Sequence, residues 1–348
     1  MSERWFLTKI YYSLADVENE EDANGNTILL DFVRPTMAYM KEEGWIRWGI
    51  FMRFSEGGYH IRYQVYGDEA VLAEKAAPYL ANVLQELRLK HPEVSLHPMQ
   101  LTPLAVRLNQ KWGGVKEGFD LQMPDAHEMG LMYNTGEDEI FESDEAFARH
   151  YDLHSDACAR ALDLLSWKPS YNLRKTVARL LVDDFLRMTD LTSLERYYFL
   201  TYLRMEWIDY FELTPADLAP SHTVYETRKA RYQAYFTQKE AQDDNLAMLP
   251  EPLRPFYRQW LASLRDKVPP VVGRDANGHL TPHGSLRLMA FFHLMHNRIG
   301  IGMMQELHMA YVLGQYYRAH LTAEEIAQAD AWARRTQAAL PGSAATRQ

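Results

Sequence analysis

Cysteine is nearly missing from this chain of 348 residues. Its single thiol, Cys158, excludes an internal disulfide and any zinc site built on cysteines. Basic residues are in the minority, 37 Lys and Arg against 47 Asp and Glu, for a formal net charge of −10. General nucleic-acid binding needs a basic face that neutralises phosphates, and this balance argues against it. No apolar run approaches the roughly 20 residues that cross a bilayer. The opening Met1-Ser2-Glu3-Arg4-Trp5 lacks the apolar stretch of a signal peptide. These absences lead to the expectation of a soluble, cytoplasmic protein with neither nucleic acid nor membrane as partner. Common motifs are missing too. There is no phosphate-cradling Gly-rich loop, no dinucleotide fingerprint after a strand, no Gly-x-Ser-x-Gly elbow and no His-Glu-x-x-His. Chemistry must therefore come from scattered His, Arg, Tyr and acidic side chains.

What is present is a globular composition, 47% hydrophobic and 24% charged. Trp5 to Tyr12 is rich in β-formers and reads as a strand. Asn24-Gly25 reads as a turn, and Leu29, Leu30, Phe32 and Val33 open a helix that passes Pro35. Trp45 to Phe54 and Tyr59 to Tyr66 form a hairpin across a short Gly-containing link. Val71 to Leu89 has helical spacing, with Pro78 kinking or delaying it. Residues 93–140 read as short strands and loops. From Glu145 onward the apolar period is helical: Ala146 to Leu165, Leu173 to Met188, Leu194 to Phe211, Thr223 to Lys239 and Leu253 to Leu264. Gly284 to Gly314 follows, broken near Gly300-Ile301-Gly302, and then Thr322 to Leu340. Thr322 and Glu325 have capping-box spacing. No repeat, low-complexity block or Gly/Ser linker divides the chain. The expectation is one α+β domain over 1–340, an antiparallel sheet from the N-terminal third packed with a large helical portion. Its mixed part is placed at about 1–144 and its helical part at about 145–340, with 341–348 a frayed tail.

Two stretches could carry chemistry. In Tyr59-His60-Ile61-Arg62-Tyr63-Gln64, strand alternation places His60, Arg62 and Gln64 on one face. Such a row can grip a carboxylate or peptide carbonyls, or it can be an exposed strand face. In Phe291 to Arg298, His293, His296 and Asn297 lie three and four apart and share a helix face. Histidine exchanges protons near neutral pH, and Asn297 and Arg298 could orient it or bind an anion. The bland alternative is a core helix with satisfied polar residues at its edge. Metal binding by His293, His296 and Glu306 is possible by count but disfavoured, because the carboxylate lies well beyond the bend. The charge runs Glu137-Asp138-Glu139 and Thr227-Arg228-Lys229-Ala230-Arg231 read as solvated surface.

In this order, these motifs resemble the C-terminal elimination domain of class I lanthipeptide dehydratases. Its stand-alone relatives are the thiopeptide-type bacteriocin biosynthesis proteins. The resemblance spans roughly residues 5 to 320. It rests on the Trp-led strand Trp5-Phe6-Leu7-Thr8-Lys9-Ile10-Tyr11 and the helix with Leu29-Leu30 and Pro35. It rests also on the strand pair Phe51-Met52-Arg53-Phe54 and His60-Ile61-Arg62-Tyr63-Gln64, and on a His-x-x-x-Asn-Arg helix from His293 to Asn297-Arg298 followed by Glu306. Two positions depart from the pattern. Gln64 stands where the family has a second strand Arg, and the Arg expected before Tyr133 is missing.

The resemblance implies an enzyme, a lyase that modifies a ribosomally made precursor peptide (leader plus core). Elimination at Ser/Thr-derived residues would give dehydroamino acids, with no metal or organic cofactor. A separate glutamyl-transferring dehydratase protein would be the partner. His293, Arg62, His296 and Tyr133 are the expected catalytic residues. His60, Gln64, Arg53, Asn297, Arg298 and Glu306 are expected to bind substrate. The departures keep two alternatives open. One is a pyridine synthase, which joins two dehydroalanines by a formal [4+2] cycloaddition with loss of the leader. The other is a non-catalytic scaffold that binds the peptide for partner enzymes.

Overall fold

The computed structural model describes residues 2–12, 22–55, 58–94, 106, 128–132, 141, 143–241, 246 and 248–339. They fall into two compact units. The first holds residues up to Tyr171 together with Asn297–Gly300, and the second holds Asn172–His296 and the chain from Ile301 onward.

The first unit is built on a four-stranded sheet in the order β2-β3-β1-β4, with every neighbouring pair antiparallel. The strands are β1 (Glu3–Tyr11), β2 (Trp48–Phe54), β3 (His60–Asp68) and β4 (Glu128–Met132). β1 and the β2–β3 hairpin follow the β-branched and aromatic runs of the sequence. The second expected strand is three residues shorter at its start, because Gly44 at φ +67° turns the chain before Trp48. β4 lies within the stretch read as short strands and loops, most of which is outside the described residues.

Two helical segments cover one face of this sheet. The first starts at Ala23, earlier than expected. The Asp22 carboxylate accepts the Gly25 N–H at 2.8 Å, which makes Asn24-Gly25 part of a capped first turn rather than a loop. This segment comprises α1 (Ala23–Ile28), a π-helical turn (Leu29–Val33) and α2 (Arg34–Glu42). The second comprises α3 (Glu69–Val71), a π-helical turn (Leu72–Ala76) and α4 (Ala77–Lys90). Each π turn ends just before a proline, Pro35 or Pro78. A proline has no N–H and its ring crowds the carbonyl four residues back, so a widened turn there avoids the kink expected at Pro78. Phe32, Val33, Leu72, Ala76 and Leu80 are fully buried. Helix α5 (Asp144–Ser166) packs along β2. Its Phe147 and Tyr151 join Trp5, Trp48 and Tyr66 in an aromatic cluster with ring separations of 4.6 to 6.4 Å.

The second unit is helical: α6 (Tyr171–Met188), α7 (Ser193–Tyr210), α8 (Pro215–Ala241), α9 (Leu253–Lys267), α10 (Pro282–Arg298), α11 (Met303–Arg318) and α12 (Ala323–Ala339). α7 is the central element, packed by α11 and α12. Tyr198 of α7 bonds both Ser285 and Thr336 at 2.7 and 2.8 Å and stacks on Trp332 with centroids 3.9 Å apart. α8 begins eight residues before the expected Thr223, because Pro220 sits inside it. Among the described helices none is long and apolar enough to cross a membrane.

Candidate active site

The histidine pair sits at the end of α10. The helix stops after Arg298 with Gly300 at φ +72°. The Ile301 N–H reaches the His296 carbonyl and the Gly300 N–H reaches the Asn297 carbonyl, both at 3.0 Å. This is the left-handed glycine stop, closed by the buried Ile301. The chain then reverses into α11, whose first turn carries Glu306. The reversal brings the carboxylate back to the histidines, although the sequence places it well beyond the bend. Glu306 Oε2 lies 3.1 Å from His293 Nδ1 and 3.2 Å from His296 Nδ1. Its Oε1 accepts the Trp207 Nε1–H at 2.7 Å.

Glu306 is wholly buried. Burial alone would raise its pKa. The His293 charge and hydrogen bond, with those of His296, outweigh it and hold the carboxyl down at about 2. An ionised carboxylate only accepts, so each imidazole presents its Nδ1–H to it. When such a ring is neutral, this orientation leaves its lone pair on Nε2. His296 is fully buried, and its Nε2 has no partner among the described residues. The His293 side chain is 22% exposed, so of the two rings it is the one that a reacting group can reach. The Trp207 ring, 4.6 Å from that of His293, backs it on one side. Among the described residues, no three His, Cys, Asp or Glu side chains could hold a metal ion.

Asn297 and Arg298 belong to the first unit, where they seal the edge strand β2. The Asn297 side chain accepts the Arg53 N–H at 2.7 Å and donates to the Arg53 carbonyl at 2.8 Å. Arg298 Nε donates to the Phe51 carbonyl at 3.2 Å, and its terminal nitrogen meets His154 Nδ1 at 2.8 Å. Cys158 Sγ receives the Phe51 N–H at 3.3 Å, and Ser155 Oγ the Gly49 N–H at 3.4 Å. An amide, a guanidinium, a thiol and a hydroxyl thus serve backbone groups that an edge strand would leave unpaired. Arg298 is wholly buried, and desolvation lowers its pKa. The Arg53 side chain pairs with Asp22 and donates to Asn26.

The strand row is more buried than an exposed face would be. His60 is opposite Tyr11 and Phe54, Arg62 opposite Lys9 and Met52, and Gln64 opposite Leu7 and Ile50. His60 is 2% and Gln64 9% exposed, whereas Arg62 is half-buried with its guanidinium 4.7 Å above the Phe54 ring. His60 Nδ1 bonds the Gly58 carbonyl at 2.8 Å, and Gln64 donates to Met132 Sδ at 3.3 Å. Tyr133 lies outside the described residues. The strand row belongs to the first unit, and the pair His293 and His296 to the second. Trp207 had no signal in the sequence, since it is one of several aromatics on an apolar helix 99 positions from Glu306.

A small antiparallel sheet clad by helices, together with a helical unit that holds a carboxylate-braced histidine, defines an α+β protein. The chain belongs to the family of the lantibiotic biosynthesis dehydratase C-terminal domain, which matches residues 5–317. That membership sets it in the biosynthesis of modified peptides of the lantibiotic kind. Among curated proteins, none matches the chain. Among solved structures, the pyridine synthase TbtD from thiomuracin biosynthesis is 18% identical, with a TM-score of 0.60 over 90% of this chain and 97% of that one. TsrL is 14% identical, with a TM-score of 0.54 over 94% and 98%. The tRNA-dependent lantibiotic dehydratase MibB from Microbispora sp. 107891 is 17% identical, with a TM-score of 0.45 over 91% of this chain and 28% of that one. At these identities the likeness is one of fold.

Proposed function

We propose that the chain is a lyase acting on a ribosomally made precursor peptide, with His293 as its acid/base. The observation that carries this reading is the Nδ1 of His293 held at 3.1 Å on a buried carboxylate while the ring remains partly open. In the reaction, His293 Nε2 removes the α-proton of a glutamylated Ser or Thr. The Cβ–O bond breaks, a Cα=Cβ double bond forms and glutamate leaves as its carboxylate. A separate glutamyl-transferring protein supplies the ester. Arg62 is assigned, on the family resemblance, as the anion clamp. His296 and Glu306 hold His293, while Asn297 and Arg298 hold strand β2.

A second reading, pyridine formation from two dehydroalanines, is favoured by Gln64. That side chain replaces a family Arg and is buried on Met132, so the row offers one cation instead of two. Both readings need a positioned acid/base.

The deciding experiment supplies the protein with glutamylated precursor peptide in one reaction and fully dehydrated peptide in another, and follows product mass. Loss of glutamate supports the lyase. Ring formation with release of the leader supports the synthase and rejects the lyase. In the active reaction, His293→Ala is expected to slow turnover by about 10²- to 10⁴-fold, the usual worth of a positioned acid/base. Undiminished turnover by that variant, with the peptide still captured, would identify a scaffold.

A further inference from the structure

Three helices of the second unit meet at Glu306. α10 brings His293 and His296, α11 carries Glu306 itself, and Trp207 stands near the end of α7. Trp207 is buried. Its indole Nε1–H donates to Glu306 Oε1 at 2.7 Å, whereas both imidazoles meet Oε2, at 3.1 and 3.2 Å. The two oxygens are thus divided. The indole holds one, and the other is left to the histidines.

The direction of that N–H is fixed by its surroundings. The rings of His293, Tyr210 and Phe211 lie 4.6, 5.8 and 5.4 Å from the indole. The Phe211 N–H caps the helix on the Trp207 carbonyl at 3.0 Å. A side chain packed in this way has its rotamer locked.

The kind of donor matters as well. An indole N–H donates and never accepts, so its role in the pair cannot reverse. It is also neutral. A Lys or Arg in its place would pair with the carboxylate charge and leave less of it for an imidazolium. A neutral donor orients the carboxylate and leaves its charge to the histidines. Without that donor, the buried carboxylate would have an unmet oxygen and a soft terminal torsion. It would then turn to divide its oxygens between the two rings, and the His293 ring would lose its fixed place.

We propose that Trp207 is a positioning residue for His293, its N–H holding Glu306 Oε1 so that Oε2 fixes the imidazole for proton transfer. The proposal rests on the reading of His293 as the acid/base. Trp207 acts through Glu306 and not on the peptide.

The test replaces Trp207 in the full chain by benzothienylalanine, introduced at that one codon. A ring sulfur then takes the place of the N–H while the shape is kept. Trp207→Phe, which also lacks the donor, is the second variant. One readout is the His293 Nδ1–H resonance in ¹H–¹⁵N NMR of the protein alone. The other is kcat and KM on whichever peptide, glutamylated or dehydrated, the parent turns over. In the benzothienyl variant the resonance should move or broaden, and kcat should fall about 10- to 100-fold, the cost of a misplaced catalytic group. KM should stay within about twofold, since no substrate contact is lost. Trp207→Phe should lose at least as much kcat. An unmoved resonance or an unchanged kcat in the benzothienyl variant overturns the proposal. So does a loss that falls on KM, which would place Trp207 on the substrate. A benzothienyl variant that does not fold overturns it too, because the N–H would then serve stability. His293→Ala in the same assay separates the two levels. Full turnover there, or no turnover by the parent, rejects the acid/base reading and the proposal with it. Slow turnover there beside a parent-like benzothienyl variant rejects the role of Trp207 alone.

Discussion

Glu306 accepts three hydrogen bonds and has no surface on water, so its protonation state decides how two histidines are oriented. Glu306→Gln keeps the size but puts an NH₂ where an oxygen accepted. Facing Trp207, that group meets another donor. Facing the histidines, it forces Nδ1 to accept and moves the ring proton to Nε2. The expected result is an inverted His293 tautomer in ¹⁵N NMR and a stability loss of about 1–3 kcal/mol from the unsatisfied buried group. Turnover should fall by about 10²-fold or more, as the base loses its free lone pair. An unchanged tautomer in a folded variant would show that the carboxylate does not set the proton's place. Arg62 is the converse case, half-buried on an aromatic ring and outside the apolar core. Arg62→Ala is expected to leave the melting temperature nearly unchanged. It should cost about 2–4 kcal/mol of transition-state stabilisation, roughly 30- to 1,000-fold in rate. Full turnover would make the strand motif a relic of the fold. The i, i+3 spacing made the shared face of His293 and His296 legible in the sequence. The return of Glu306 was not, because it depends on the angle of a chain reversal at Gly300 that spacing does not encode.

At the scale of elements, local signals worked where the cause was local. Thr192 with Glu195 and Thr322 with Glu325 form reciprocal capping boxes at the starts of α7 and α12. Only the second stands out from sequence spacing alone. Glu195 does more than cap, since it also meets Arg274 at 3.3 Å. The prolines were legible as disturbances but not in their outcome. Pro35 and Pro78 are absorbed by π turns because buried side chains on both sides, such as Leu72 and Leu80, pin the helix. The task of Asn297 was hidden altogether, since its partner Arg53 lies 244 positions earlier. Asn297→Ala would strip the edge strand of an acceptor for the Arg53 N–H and a donor for its carbonyl. The expected loss is about 2–4 kcal/mol, two backbone groups at roughly 1–2 each, read as a lower urea midpoint at unchanged slope. Asn297→Asp should retain part of this, as its carboxylate still accepts from the N–H. If Asn297→Ala is as stable as the parent, water satisfies the strand edge and the asparagine is not a structural clasp.

For the molecule as a whole, the order of the motifs identified the family more firmly than any single residue, because several weak signals in register across some 300 residues constrain one another. The same whole-chain view yields a prediction about acid. Burial lowers the pKa of His154 in the first unit well below its usual value, and that of His308 in the second to about 4. An unfolded chain protonates these rings near pH 6.5, whereas the folded chain does not. Between these values the unfolded state binds more protons, so stability falls as pH falls from about 6.5. Glu306 adds to this at lower pH. Its folded pKa of about 2 lies below the usual value near 4.5, so its contribution is present above that value and is lost as pH falls towards 2. Loss of stability should therefore begin near neutrality, before ordinary carboxylates titrate, and steepen below about pH 4.5. Urea midpoints at pH 7.5, 6.5, 5.5 and 4.5 measure it. His308→Gln, which can still bond Ser221 and Tyr232, should flatten the upper part of the slope without abolishing it, since His154 remains. A midpoint constant from pH 7.5 to 5.5 in the parent chain would mean that both rings titrate in the folded state as they do in the unfolded chain.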